Sequence, residues 1–502
     1  MLEPYDVAIV GLGPVGAALA ARLGERVVVL ERSQAPHALP RAAHLDDDAL
    51  RVLQAVGVLD AVLAHGRAID GFDLVDERRR PLLRARKRVA WPTSLPPALL
   101  VHQPTVEAAL RARLDALPGA DVRLGHTVET VDPDNDGVTI GGVASGAPFA
   151  VRARYAVGCD GARSTVREAI GSALTGGRGD ERWLVVDALV GDTAGLPTRL
   201  LQIADARQPS TYVPFPGRRR RWEFRLGPGA PDDVTAPDRV RARLAPWLDV
   251  DTVEIERAVV YTFHDLVAER WRRGRLLLAG DAAHQMPPFL GQGLGAGLRD
   301  TATLAWMLRL VARGEAGPAL LDAYSAERRP HVEATTRLAV RLGRLITASG
   351  PAARLRNAVL RLGHRAGLGP RLLGVEAGLP SVRPALGGTG RRGAEARVPQ
   401  PLVGVGAEAV RLDDVLGRGF ACVGVGLDAE RWAGTDPVWG RLETAFVTLG
   451  SGVWDPSGTL AAWSGASPCA VVVRPDRIAF GVYGPGTGEA AAADLRRALS
   501  LR

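Results

Sequence analysis

Residues 5–31 read YDVAIVGLGPVGAALAARLGERVVVLE, and the fold follows from that stretch. Asp6 to Val10 is mostly apolar and β-branched without alternation, as in a parallel strand buried on both faces. Gly11, Gly13 and Gly16 follow in G-x-G-x-x-G spacing and open a predicted helix from Pro14 to Leu23. A second strand, Val27 to Leu30, delivers Glu31. Each position has a physical task in a dinucleotide site. Gly11 allows the sharp turn, Gly13 lets a pyrophosphate approach the backbone, and Gly16 lets helix and strand pack closely. The helix start adds unpaired N–H groups and partial positive charge. Glu31 can accept hydrogen bonds from a ribose diol. With Arg32 beside the acid, this segment leaves NAD, NADP and FAD open.

Composition narrows the class. The chain has 502 residues, 46% of them hydrophobic and 24% charged, which fits a globular protein with large cores. At roughly 150 residues per domain the length predicts two to four domains. Three cysteines, none in a CxxC pair, predict reduced thiols and a cytoplasmic protein. The start, MLEPYDVAIV, carries an acid where a secretory leader carries positive charge. No uncharged apolar run reaches the roughly 18 residues of a membrane helix. The formal charge is +8, and Lys87 is the sole lysine, so the basic excess is arginine. Those arginines are scattered, with no basic helical stripe and no aromatic-interleaved RNA signature. Nucleic acid is therefore not an expected partner, and the excess reads as compositional.

Two later segments narrow the choice of cofactor. Residues 155–167, YAVGCDGARSTVR, are a strand, then Asp160-Gly161, then Ser164 and Arg167 at a helix start. Residues 275–300 read RLLLAGDAAHQMPPFLGQGLGAGLRD. A buried strand from Leu276 to Ala279 delivers Gly280-Asp281 to a loop, and a glycine-rich turn opens a long helix from about Gly295.

In this order the three motifs resemble the class A flavoprotein monooxygenases, aromatic hydroxylases of the para-hydroxybenzoate hydroxylase type. The likeness is to the branch with 3-(3-hydroxyphenyl)propionate hydroxylase and the actinobacterial polyketide and antibiotic hydroxylases, and runs from residue 5 to about 345. It implies an α/β fold: a Rossmann-type FAD-binding domain interleaved with a β-sheet substrate domain, plus a C-terminal thioredoxin-like domain. The implied FAD contacts are Gly11, Gly13, Gly16, Glu31, Arg32, Arg41, Gln103, Asp160, Gly280, Asp281, Gly291, Gly293, Leu294 and Gly295. Gly161, Ser164 and Arg167 complete the second motif, and Asp160 is also implied in nearby NAD(P)H recognition. Pro287, which lacks an N–H and stiffens its loop, and His284 are implied beside the isoalloxazine as catalytic residues. The turn Gly291-Gln292-Gly293 would aim N–H groups at the flavin pyrimidine oxygen. One position departs from the family, which commonly has asparagine where this chain has Gly295.

The resemblance further implies NADH or NADPH as co-substrate, bound without a second Rossmann unit. It implies dioxygen and a small aromatic, phenolic or polyketide-derived substrate, hydroxylated through a flavin C4a-hydroperoxide. Epoxidation or Baeyer–Villiger oxidation by the same chemistry, and a non-oxygenating flavin-binding protein or dehydrogenase, are the alternatives. Residues 1–180 and 271–345 are expected to form the FAD-binding domain and 181–270 the substrate sheet. Segment 346–399 is expected to be helix and linker, and 400–502 the C-terminal domain, with a homodimer as its assembly.

Within the substrate region, 183–190, 199–203, Ser210 to Pro214 and Arg221 to Leu226 have strand character. Alternation puts Trp222 and Phe224 on one face, Glu223 and Arg225 on the other. Tyr212, Phe215, Phe224 and Arg225 are the pocket candidates, His264 and His284 the candidate bases. The turn Pro216 to Arg220 reads as a solvated hairpin. Thr301 to Arg313, Leu320 to Ser349 and Arg354 to Leu362 have helical spacing. Residues 376–400 read as a linker. After Gln400 strands and helices alternate, and Cys422 and Cys469 stand apart as buried thiols.

Overall fold

The computed structural model describes the chain except residues 1–4, 37–39, 87–90, 92, 178–180, 194, 228, 368–378, 392, 394–395, 466 and 502. Lys87 and part of the 376–400 segment therefore lie outside the described residues.

The quoted stretch forms the strand Tyr5–Val10, the helix Pro14–Leu23 and the strand Val27–Glu31. Tyr5–Val10 sits at the centre of a sheet, parallel to Val27–Glu31 on one side and to Ala147–Gly158 on the other. Ala120–Leu124 extends it past Val27–Glu31, and Leu276–Leu278 past Ala147–Gly158, again in parallel. Helix Pro14–Leu23 packs against the long helix Gly293–Ala312 through small residues. A Cβ on Gly297 would lie 2.6 Å from Val15 Cγ2, so that crossing requires glycine. The strand ends, with the loops at Gly11, Asp160 and Gly280, gather at one edge, where ligands bind in open α/β sheets.

A second sheet of seven strands stands over that edge. Its order is Val253–Phe263, Glu181–Val190, Arg219–Arg225, Ser210–Val213, Leu200–Ile203, Gly71–Val75 and Pro81–Arg86. The last two strands come from outside 181–270. Gly71–Val75 joins Leu200–Ile203 in parallel, so the chain passes between the two sheets more than once. One face of the sheet buries Tyr212, Trp222, Phe224, Leu184 and Val186 under the helix Pro237–Leu244. Tyr212 stacks on Trp247 at 5.1 Å and sits 5.5 Å from Trp222. The Pro216–Arg220 turn is not a free solvated hairpin. Arg220 is buried and donates to the Phe215 and Gly217 carbonyls, because its guanidinium supplies donors to carbonyl acceptors that the tight turn leaves unmatched.

Helices Leu320–Thr347 and Gly350–Arg365 follow. The C-terminal region holds a four-stranded sheet ordered Ala445–Thr448, Ala421–Val425, Cys469–Val473 and Ala479–Tyr483. The first pair is parallel, the rest antiparallel, and helix Gly488–Ala498 closes the chain. Buried ion pairs fasten this region to the rest. Arg51 grips Asp413 at 2.8 Å and donates to the Val398 carbonyl, and Arg474 holds Glu327 and Asp476 at 2.7 and 2.6 Å. Among the described residues, no helix is long and apolar enough to cross a membrane.

Candidate active site

The three motif glycines differ in what surrounds them. Gly11 has φ +101°, and a Cβ there would lie 2.5 Å from the Cys159 carbonyl oxygen. A Cβ on Gly16 would lie 2.0 Å from the Gly11 oxygen. At Gly13 a Cβ would meet no heavy atom within 4 Å. Gly11 and Gly16 are thus consumed by packing, whereas Gly13 leaves open space at the start of helix Pro14–Leu23, whose first N–H groups lack intrahelical partners. Glu31 holds its place by accepting from the Leu12 and Ser33 N–H groups at 2.7 and 2.8 Å.

The second wall comes from residues 280–294. Gly280, at φ +64°, turns the chain after Leu276–Leu278, and Asp281 follows with its carboxylate on the cavity. Surrounding protein atoms desolvate that carboxyl and raise its pKa, while His284 and Arg41 pull in the other direction. Pro287 and Pro288 stiffen the next loop, and Gly291, at φ +61°, returns it to helix Gly293–Ala312. Gly293 and Gly161 resemble Gly13, with open space where a Cβ would stand. Three glycines thus bare their backbone around one cavity, as a close-lying dinucleotide requires.

That cavity measures about 1220 Å³. It exceeds the roughly 300–1,000 Å³ typical of a single small-ligand site, leaving room for a cofactor together with a substrate. Gly13, Arg41, Gln103, Asp281, Pro287, Gly291, Gly293 and Leu294 line it, with Cys159 and Gln292. Opposite them stands the second sheet, presenting Trp183, Gln202, Thr211, Val213, Arg221, Glu223, Tyr261 and Phe263. Gln103 spans the gap between segments, accepting from the Arg41 and Ala42 N–H groups at 3.2 and 2.7 Å while donating to Glu107 at 2.7 Å. From the sheet, Arg221 donates to the Pro40 and Arg41 carbonyls at 2.6 and 3.0 Å, and Arg257 donates to Pro40 at 2.7 Å. Asp187 receives both guanidinium groups, Arg221 Nε at 2.7 Å and Arg257 Nη2 at 2.6 Å. The loop at 40–42 is therefore held from both sides.

Not every expected site residue reaches the cavity. Gly11, Gly16, Glu31, Asp160, Gly280 and Gly295 stand behind its lining, and Arg32 is exposed. Ser164 caps helix Thr165–Ile170 through the Arg167 N–H at 3.0 Å, and Asp160 Oδ2 accepts from the Val166 N–H at 3.4 Å. Asp160 Oδ1 is buried without a partner, and burial raises the pKa of that carboxyl. Arg167 staples two motif loops by donating to the Ala162 and Ala282 carbonyls. His284, expected near the reacting atoms, is 1% exposed and turned away. Its Nε2 lies 2.7 Å from Asp300 Oδ2, its ring packs on Trp271 at 5.3 Å, and Asp300 also accepts from the Gly280 N–H. It braces the loop that carries Asp281, whereas His264 does line the cavity.

The pocket candidates Tyr212, Phe215, Phe224 and Arg225 are also displaced. Tyr212 and Phe224 lie on the opposite sheet face, Phe215 packs with Leu100 and Val213, and Arg225 is spent on Glu181 and the Thr347 carbonyl. For Tyr212 and Phe224 the reason is strand alternation, which gives the cavity their odd-numbered neighbours Thr211, Arg221 and Glu223 instead. The signal was present in the polar alternation, but it did not say which face was the inner one. Gly295 faces Arg299, whose Nη1 would lie 3.1 Å from its Cβ, and Arg299 bonds Gln292 and Asp46. The space where an asparagine side chain would start is already bordered by that guanidinium.

Comparison with known proteins follows the same outline. Residues 4–339 match the family described as FAD binding domain, and residues 396–498 match the HcaD C-terminal domain. The chain is 37% identical to a probable NADH-specific resorcinol 4-hydroxylase of Rhodococcus jostii, covering 96% of this chain and 92% of that protein. It is 36% identical to a 3-(3-hydroxy-phenyl)propionate/3-hydroxycinnamic acid hydroxylase of Mycolicibacterium smegmatis, over 83% and 76% of the two chains. Among solved structures, the OxyS anhydrotetracycline hydroxylase from Streptomyces rimosus superposes with a TM-score of 0.80 at 28% identity, over 99% of each chain. A ternary complex of aklavinone-11 hydroxylase with FAD and aklavinone gives 0.78 at 25% identity, over 100% of each.

Proposed function

The chain belongs to the FAD-binding-domain family that includes these hydroxylases, and from that premise we propose that it is an FAD-dependent monooxygenase. It uses NADH and dioxygen to hydroxylate a small phenolic ring of the resorcinol type. The observation that carries this reading is one cavity with two unlike walls. One wall is bare glycine backbone and helix starts, suited to pyrophosphate and flavin; the other is a sheet face of aromatic, aliphatic and a few polar groups, suited to a ring.

FAD, when bound, would supply the redox chemistry: hydride uptake from the nicotinamide and activation of dioxygen for transfer of one oxygen atom to the ring. The chain supplies the rest. Gly13 and the start of helix Pro14–Leu23 would hold the pyrophosphate, and Glu31, behind the cavity lining at the end of its strand, would hold the ribose diol. Asp281 would hold the ribityl hydroxyls, and the N–H groups from Gly293 onward would meet the flavin carbonyl edge where negative charge accumulates. Pro287 and Pro288 keep the loop beside the ring system rigid. Trp183, Phe263, Phe289 and Leu342 exclude water from the reacting atoms. The C-terminal strand order supports a thioredoxin-like domain, one without a redox pair. A cytoplasmic homodimer, fed by the NADH pool, completes the reading.

The test is NADH oxidation by the FAD-loaded protein, with resorcinol, 3-(3-hydroxyphenyl)propionate or anhydrotetracycline added. Resorcinol should stimulate it most and NADPH should substitute poorly. Equal rates with and without every aromatic added would contradict the reading.

A further inference from the structure

Glu223 is the acid in the cavity roof for which the mechanism above has no task. It lies on the strand Arg219–Arg225, only 8% exposed, with its side chain on the cavity face. Among described residues it has one charged neighbour within ion-pair reach, Arg221 Nη1 at 3.7 Å, too long for a hydrogen bond. Arg221 is already committed, to Asp187 and to the Pro40 and Arg41 carbonyls. Arg221 and Arg257 share Asp187, so the roof holds two cations and two anions, and the Glu223 oxygens retain their acceptor capacity toward the cavity.

We propose that Glu223 is the substrate-facing base of this enzyme, accepting the hydrogen bond and then the proton of the ring hydroxyl. The ring O–H bond breaks, its electron pair stays on the ring oxygen, and the proton forms an O–H bond on the Glu223 carboxylate. The electron pair retained on oxygen enriches the ring carbons ortho and para to it, which is the activation that an electrophilic oxygen donor needs. When product leaves, the proton passes to cavity water.

The surroundings favour a proton acceptor over a simple ion-pair partner. Burial raises the pKa of this carboxyl, Arg221 and Arg257 draw it down, and Asp187 pushes it further up. Its neighbours across the sheet, Val185 and Thr211, bring no charge. Tyr261 lines the same roof, and the other titratable and charged groups that line the cavity are Arg41, His44, Arg86, Cys159, Arg163, His264, Asp281 and Arg341. A carboxylate with a raised pKa is a stronger base than one in water, which suits proton transfer from a phenol.

This assignment rests on the hydroxylase reading, so the experiment reads both separately. Holoenzymes carrying Glu223→Gln and Glu223→Asp are compared with wild type for FAD content, for resorcinol turnover across pH, and for binding of 4-nitrophenol. In wild type kcat/KM should fall on the acid side with one ionisation. Glu223→Gln should keep its FAD, lose about 100-fold in kcat/KM at neutral pH and lose the acid limb, while Glu223→Asp restores part of both. If Glu223→Gln fails to hold FAD, Glu223→Asp decides: a shifted acid limb supports the assignment, an unchanged profile overturns it. Glu223→Gln with wild-type kcat/KM and an intact acid limb also overturns it. If wild type turns over no resorcinol, the hydroxylase reading fails in that form, and 4-nitrophenol binding judges Glu223. Binding about tenfold weaker in the Gln variant keeps the acceptor role, as loss of a charged hydrogen bond would; equal binding removes it.

Discussion

Single positions show which parts of the motif are packing and which are recognition. Gly16 and Gly13 look alike in the sequence, yet the Gly16 hydrogen faces a carbonyl and the Gly13 hydrogen faces open cavity. Gly16→Ala should therefore cost about 1–3 kcal/mol of stability or more through overpacking. Gly13→Ala should fold normally and lose at least about tenfold in FAD affinity, since Gly13 has an ordinary extended backbone that alanine can adopt. Thermal unfolding of the apoprotein and flavin titration separate the two. His331 gives a second residue-level expectation. Burial, then the cations Arg328 and Arg299, push its pKa down to about 2 from an ordinary 6.5. The folded imidazole thus stays neutral while the unfolded one takes up a proton, so its contribution is intact above pH 6.5 and falls as the pH drops below it. Wild type should lose up to about 1.4 kcal/mol per pH unit on this account. His331→Gln should lose less between pH 6.5 and 5, measured by thermal midpoints at each pH. The glycine spacing was readable in the sequence, but the surroundings of His331 were not: Arg328 is a neighbour on its own helix, whereas the burial and Arg299 come from packing against the helix Gly293–Ala312.

At the level of elements, the strand–helix–strand unit was legible almost to the residue, since continuous apolar runs and a glycine-coded turn depend on local chemistry alone. The helix expected from about Gly295 begins at Gly293, which brings its first N–H groups to the cavity. The second sheet was harder. Its strands alternate correctly, but both faces are buried, one by Trp247 and helix Pro237–Leu244 and the other by the cavity walls, so hydrophobicity did not mark the inner face. Nor did local pattern show that Gly71–Val75 and Pro81–Arg86 join that sheet, a pairing set by a long-range parallel contact. The sheet's distinctive element-level contact is the clamp from Arg221, Arg257 and Asp187 onto the Pro40 and Arg41 carbonyls. Arg221→Ala should leave Asp187 short of one partner and free the loop, costing about 3–5 kcal/mol and weakening FAD retention. Arg221→Lys should not rescue it, because an ammonium cannot reproduce the forked donors. Equal flavin off-rates in wild type and both variants would count against the clamp.

Across the whole molecule, the arginine excess takes on a meaning that composition did not supply. Arg51, Arg167, Arg220, Arg221, Arg257, Arg299, Arg328, Arg474 and Arg477 are buried, and most tie together segments distant in sequence. Arg51 and Arg474 join the C-terminal region to the FAD-binding part, with Trp306 against Phe420 at 5.5 Å. That region is therefore built into the stability of the rest. A chain ending near residue 395 should leave Arg51 without Asp413 and the Val398 carbonyl and Glu327 without Arg474, and fail to accumulate as FAD-loaded protein, assayed by flavin content and size-exclusion mass. Arg51→Ala should cost about 3–5 kcal/mol in the full chain. Fold class and cofactor class were legible because motifs carry them; these ties were not, because each pairs a common residue with a partner up to hundreds of positions away. The central claim concerns the origin of one oxygen atom. The most direct measurement is turnover of resorcinol by the FAD-loaded chain with NADH under isotopically labelled dioxygen, followed by mass spectrometry of the product. One labelled oxygen per hydroxylated ring is the predicted result, and hydroxylated product carrying oxygen from water, or oxidised product with no added oxygen, would contradict the account.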